Sequence, residues 1–250
     1  MNTMDLSNKA ASVRKKLGGD ASSPIDIFAL IQNIPEITMT LYPLGSNISG
    51  ICVKNKSSSI LIVNSGMSIG RQRFTLAHEL YHYYFDENTL STVCPTQIDT
   101  GDSKEREADH FASYVLIPQQ ALYELLQSRK QNQKQKVTLE DILFLEQYFK
   151  VSRKAMLFRL QQEKELTRNE ALHLQTNVIS SAARLGYDVS LYKPLDAHNQ
   201  KQTLGYYVKS AEKLLENNLI STGRYEEYLV DAFREDIVFG EEVHEGEYVD

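Results

Sequence analysis

The stretch His78-Glu79-Leu80-Tyr81-His82 decides how this 250-residue chain is read. Arg71 to Asp86 holds no Gly or Pro, and at about 100° per residue Phe74, Ala77, Tyr81, Tyr84 and Phe85 gather on one arc, so a helix is expected. Histidines four residues apart then stand one turn above the other, where each offers an imidazole nitrogen to one tetrahedral metal ion. Glu79 projects from between them toward a water in the remaining position, the spacing of a metalloprotease helix. Both histidines fall at the rim of the apolar arc, so the stripe anchors the helix while the ligands face a cleft. Incidental histidines on a solvated helix would lie opposite that arc.

An open catalytic zinc site needs a third protein ligand, commonly His or a carboxylate. Lys104 to Leu116, closed by Pro118, reads as a second helix with Ala108, Phe111, Ala112, Val115 and Leu116 on its apolar arc. Glu105 lies at the margin of that arc, one turn before Asp109, whereas Glu107 sits on the opposite flank. Glu105 is therefore the expected ligand and Glu107 the alternative. Asp109 is placed to accept a hydrogen bond from the free ring nitrogen of a ligating histidine and so to hold that ring in place. His110 neighbours this motif but points away from Glu105, and His173, His198 and His244 are scattered, so none is expected to ligate.

These residues resemble the ImmA/IrrE family of intracellular metallopeptidases. The matching stretches are Arg73-Phe74-Thr75-Leu76-Ala77-His78-Glu79-Leu80 with His82, then Glu105, Ala108-Asp109, Phe111-Ala112 and Val115-Leu116-Ile117-Pro118. Family members often carry Gly where Tyr81 stands; Tyr81 fits the apolar arc and is read as a packing change that narrows the choice of substrate. The resemblance implies a small zincin with Zn²⁺ held between the two motif helices. It also implies a protein substrate, a cytoplasmic helix-turn-helix repressor whose cleavage derepresses mobile-element or stress genes.

The fold class expected is α+β: a zincin-like metallopeptidase domain with helices against a short, mostly antiparallel sheet, followed by a mostly α-helical C-terminal region. The organisation expected is residues 1–127 as the metallopeptidase domain, 128–166 as a helix-turn-helix-like extension and 167–250 as a helical region with an acidic tail. Helices are expected over Leu6–Leu17, stopped by Gly18-Gly19, and over Pro24–Asn33, capped by Ser22 or Ser23. Ile37–Tyr42 has strand character, and Ile48–Val53 with Ile60–Asn64 reads as a hairpin. An open edge of this sheet would accept an extended substrate by strand addition.

A net charge of −6 argues against a broad nucleic-acid surface. The balance is uneven, with nine Lys/Arg against four Asp/Glu over residues 129–164 and five against twelve over 201–250. Ser128 to Lys136 is a polar connector, and Leu139–Phe149 with Ser152–Glu163 form a helix pair around Lys150-Val151. Arg153, Lys154 and Arg159 on its second helix would contact DNA phosphates if the pair reads DNA. The reading favoured is that the pair packs on the peptidase with these residues solvated. A non-catalytic repressor-binding or toxin–antitoxin partner is the remaining alternative, and the intact Glu79 speaks for an enzyme.

No stretch is long enough to span a bilayer, and two cysteines make no disulfide framework, so a cytoplasmic protein is expected. Cys52 and Cys94 are read as ordinary thiols, with an inhibitory fourth zinc ligand as a second reading of Cys94.

Overall fold

A computed structural model describes residues 2–86, 91–129 and 136–240. Most of the expected polar connector, the tail beyond Gly240 and His244 lie outside them. The chain opens with α1 (Thr3–Lys16) and α2 (Ile27–Gln32), followed by β1 (Ile37–Tyr42), β2 (Ile48–Lys54) and β3 (Ser59–Asn64). Next come α3 (Ile69–Phe85), β4 (Ser91–Pro95), α4 (Ser103–Leu116), α5 (Gln119–Arg129), α6 (Leu139–Phe149) and α7 (Arg153–Gln162). The C-terminal part holds α8 (Arg168–His173), α9 (Val178–Arg184), β5 (Gln202–Gly205), α10 (Tyr206–Glu216), α11 (Thr222–Asp231) and α12 (Glu235–Phe239). The class is α+β, as the residue patterns indicated.

One mixed sheet organises the molecule, in the order β4-β2-β3-β1-β5. The hairpin β2–β3 forms as expected, and β1 joins β3 in parallel. β4 and β5 add antiparallel to β2 and β1. Neither of these short edge strands was anticipated. Ile37, Met39, Leu41, Leu61 and Val63 point to the buried face, the period-2 pattern of a sheet covered by helices. α3 packs on β2 and β3 and against α4, and α1 also packs on α4.

α2 departs from expectation at its start. Asp20 takes the amides of Ser22 and Ser23 at 2.7 and 2.5 Å, which holds both serines in a turn. The cap falls to Asp26, whose carboxylate accepts from Phe28 and Ala29 N–H. A carboxylate cap adjoining the first apolar residue outcompetes the serines and shortens the helix.

α6 and α7 belong to the same core as α3, since Leu145, Phe149, Ala155 and Leu160 join the cluster that holds Leu76 and Phe111. Gly70 permits this union: a Cβ there would lie 2.6 Å from the amide nitrogen of Ser152. The expectation that the basic residues of α7 are solvated, or free for phosphates, fails for two of three. Arg153 is 2% exposed and pairs with Glu146, while its remaining nitrogens reach Leu174 O at 2.8 Å and Ser181 Oγ at 3.3 Å. Arg159 is 0% exposed, donates to Ile117 O, pairs with Glu163 and lies over the Tyr114 ring. Only Lys154 of the three is exposed. Reading apolar period alone assigned these arginines to solvent because it does not see the partners that make their burial affordable.

Candidate metal centre

α3 carries His78, Glu79 and His82, and all three are buried. The middle of this helix is enclosed on every side, by the sheet and by α4, rather than along a single stripe. Ser68 precedes it, and Asp86 closes it with its amide bonded to His82 O. Tyr81 fills the core between Phe85 and Phe111, with its hydroxyl donated to Glu107 at 2.6 Å. Glu107 is thereby occupied on the far side of the helix pair.

α4 starts at Ser103 because Asp102 accepts from Lys104 and Glu105 N–H at 2.8 and 3.0 Å. This cap sets Glu105 in the first turn, facing α3. His78 Nε2 and His82 Nε2 lie 3.2 Å apart. Each is 3.3 Å from a Glu105 carboxylate oxygen. Two atoms bonded to one tetrahedral zinc at about 2.05 Å each are separated by about 3.3 Å, which is close to the spacing here, with His78 facing Oε2 and His82 facing Oε1 of the one carboxylate.

The other ring nitrogens are held from behind. Asp109 Oδ1 sits 2.8 Å from His78 Nδ1, while its Oδ2 accepts Asp99 N–H at 2.6 Å. Asp86 Oδ2 lies 3.5 Å from His82 Nδ1, and its Oδ1 accepts Lys104 Nζ at 2.6 Å. A carboxylate behind each imidazole fixes the ring and directs Nε2 forward. Asp109 was anticipated in that position and Asp86 was not, although its spacing of four from His82 on one helix was available to find it.

The electrostatics favour positive charge at the point where the donors meet. Burial opposes protonation of His78, but its hydrogen bonds with Asp109, Cys94 and Glu105 outweigh burial and raise its pKa well above the usual value. Burial raises the Glu105 carboxyl, yet hydrogen bonds with both imidazoles prevail and hold it at about 2. Glu79 is 0% exposed, and burial pushes its pKa up against the pull of His78. Neither of its oxygens has a partner in full hydrogen-bond geometry, and the Cys94 thiol with the two imidazoles pulls its pKa part of the way back down. A carboxylate so placed is costly unless a cation and a proton donor belong beside it, so the residues fit a divalent metal with its water.

Gly50 on β2 makes room for Glu79, since a Cβ there would come within 2.9 Å of Oε1 and 2.5 Å of Thr75 Cγ2. Across the sheet from Gly50 stands Cys94, whose thiol completes a group with His78, His82 and Glu105 in which all donor atoms lie within 4.8 Å of one another. His110 is not among them; its Nε2 faces Asp99 at 3.9 Å and its ring meets Phe158 edge-on. Tyr114 lies under the Arg159 guanidinium.

Residues 40–161 match the family model described as the IrrE N-terminal-like domain, peptidase family M78. No curated protein matches the chain. The matched span begins in β1 and ends in α7, so it holds β2, β3, β4, half of β1, α3, α4 and every donor of the candidate centre. Over residues 40–161 this chain is therefore similar to the IrrE N-terminal-like peptidase domain, and that span holds a His/His/Glu group that could bind metal.

Proposed function

We propose that this protein is a zinc-dependent endopeptidase in which His78, His82 and Glu105 hold Zn²⁺ and Glu79 is the general base. The observation that carries this reading is the donor spacing of 3.2 to 3.3 Å, with the buried Glu79 carboxylate alongside. Bound there, the metal supplies Lewis acidity toward a water and the scissile carbonyl. Glu79 accepts the proton of the attacking water at a carboxylate oxygen and returns it to the departing amine. Its raised pKa brings it nearer to neutrality, where a base regains and releases a proton most readily. Asp109 and Asp86 hold the two imidazoles in the tautomer that leaves Nε2 free.

The substrate enters as an extended chain along β4, the sheet edge nearest the centre, whose Val93 is 58% exposed. By resemblance to the family, that substrate is a helix-turn-helix repressor in the cytoplasm, and its cleavage derepresses mobile-element or stress genes. No helix among the described residues is long and apolar enough to cross a membrane, and both cysteines are free thiols, which suits that setting. Burial of Arg153 and Arg159 removes the support for DNA reading by α7.

Co-expression with a candidate repressor, followed by intact mass of both proteins, tests the reading. Fragments formed by wild type and not by Glu79→Gln, at equal zinc content, are expected. Equal cleavage by Glu79→Gln would overturn the assignment of the base.

A further inference from the structure

Of the two cysteines, Cys52 faces the core from the middle of β2, whereas Cys94 lies on β4 against the candidate metal centre. Cys94 is 1% exposed. Its place is set by pairing with Gly50 and by three bonds to the flanking carbonyls: Ser49 Oγ to Cys94 O and Pro95 O at 3.3 and 2.9 Å, and Arg71 to Pro95 O at 3.2 Å. The strand thus holds its sulfur within 4.8 Å of the His78, His82 and Glu105 donor atoms. Glu79 is buried beside the same thiol and the imidazoles of His78 and His82.

We infer that Cys94 Sγ is a fourth protein ligand, so that β4 holds the centre closed and the peptidase is latent as folded. This rests on the metal-centre reading above. A tetrahedral zinc with bonds of about 2.3 Å to sulfur and 2.05 Å to nitrogen separates those donors by about 3.6 Å, so Sγ closes by about an ångström at most on loading. Metal binding forms the S–metal bond and sends the thiol proton to solvent. Four protein ligands leave no coordination position for water, which is the condition of a structural rather than a catalytic zinc site. Activity then requires the Cys94 sulfur to leave the metal position.

The full-length chain, loaded with Zn²⁺ or with Co²⁺, tests this by its metal spectrum. Zinc-edge X-ray absorption of wild type is expected to show one sulfur at about 2.3 Å beside three N/O donors. The Co²⁺ form is expected to show a thiolate-to-metal charge-transfer band, retained in Cys52→Ser and lost in Cys94→Ser with one metal per chain still bound. Cys94→Ser is expected to cleave a repressor substrate about tenfold faster or more, because its metal keeps an open position. One bound metal with no sulfur donor in wild type would overturn the inference and leave the peptidase reading standing. No metal bound after loading would overturn the metal-centre reading itself. The wild-type spectrum decides between these outcomes even if Cys94→Ser fails to fold.

Discussion

The α3–α4 centre and the α6–α7 pair both bury charged groups, yet they treat them in opposite ways. Glu146 has one oxygen on Arg153 and the other on the Tyr192 hydroxyl at 2.8 Å, and the guanidinium is bonded at every nitrogen. Glu79, equally buried, has no partner in full hydrogen-bond geometry on either oxygen, and its neighbours His78, His82 and Glu105 aim their donor atoms at one point. Burial by itself therefore does not mark a site. The α6–α7 charges close on one another and hold the fold; those of α3 and α4 converge as a group that could bind metal.

The difference can be broken at several points. Glu79→Gln is expected to lower kcat by about 10²- to 10⁴-fold with zinc content and folding unchanged, read by single-turnover cleavage. Glu146→Ala is expected to cost about 3–5 kcal/mol in urea unfolding, since it strands Arg153 in the core, while the same change in a self-contained pair leaves zinc stoichiometry intact. Should Glu146→Ala abolish zinc binding in protein that remains folded, the two regions are not separate. Asp109→Asn is expected to weaken zinc affinity by about 10- to 100-fold in competition with a chelator, because His78 loses the acceptor behind its ring. Lys154→Ala, at the exposed start of α7, is expected to alter stability by no more than about 0.5 kcal/mol and to leave cleavage unchanged. A loss of sequence-specific DNA binding on that change would revive the reading of α7 as a DNA-contacting helix.

The sequence was most legible where local chemistry repeats. The spacing of His78 and His82, the apolar arcs of α3 and α4, and the alternation in β1 and β3 each give several concordant residues. Glu105 was separable from Glu107 because a helix puts them about 200° apart, and the Tyr81–Glu107 hydrogen bond shows where the second one went. β4 and β5 were not legible. They are five and four residues long, too short for alternation to register, and each is defined by a partner strand remote in sequence. Missing β4 left the second reading of Cys94, as a fourth zinc ligand, without structural support, since the pairing with Gly50 carries the thiol to the histidines. The starting point of α2 and the burial of Arg153 and Arg159 failed for a shared reason: Asp20, Glu146 and Glu163 supply partners that neither propensity nor hydropathy records.

The central claim is that α3 and α4 converge on one metal ion, and metal content after zinc loading tests it most directly. Wild type and Glu107→Ala are expected to retain one zinc per chain with equal affinity, whereas Glu105→Ala and His82→Ala, folded by circular dichroism, hold it more weakly in competition with a chelator. A wild-type chain that binds no zinc, or a Glu105→Ala chain that binds it as tightly as wild type, would contradict the account.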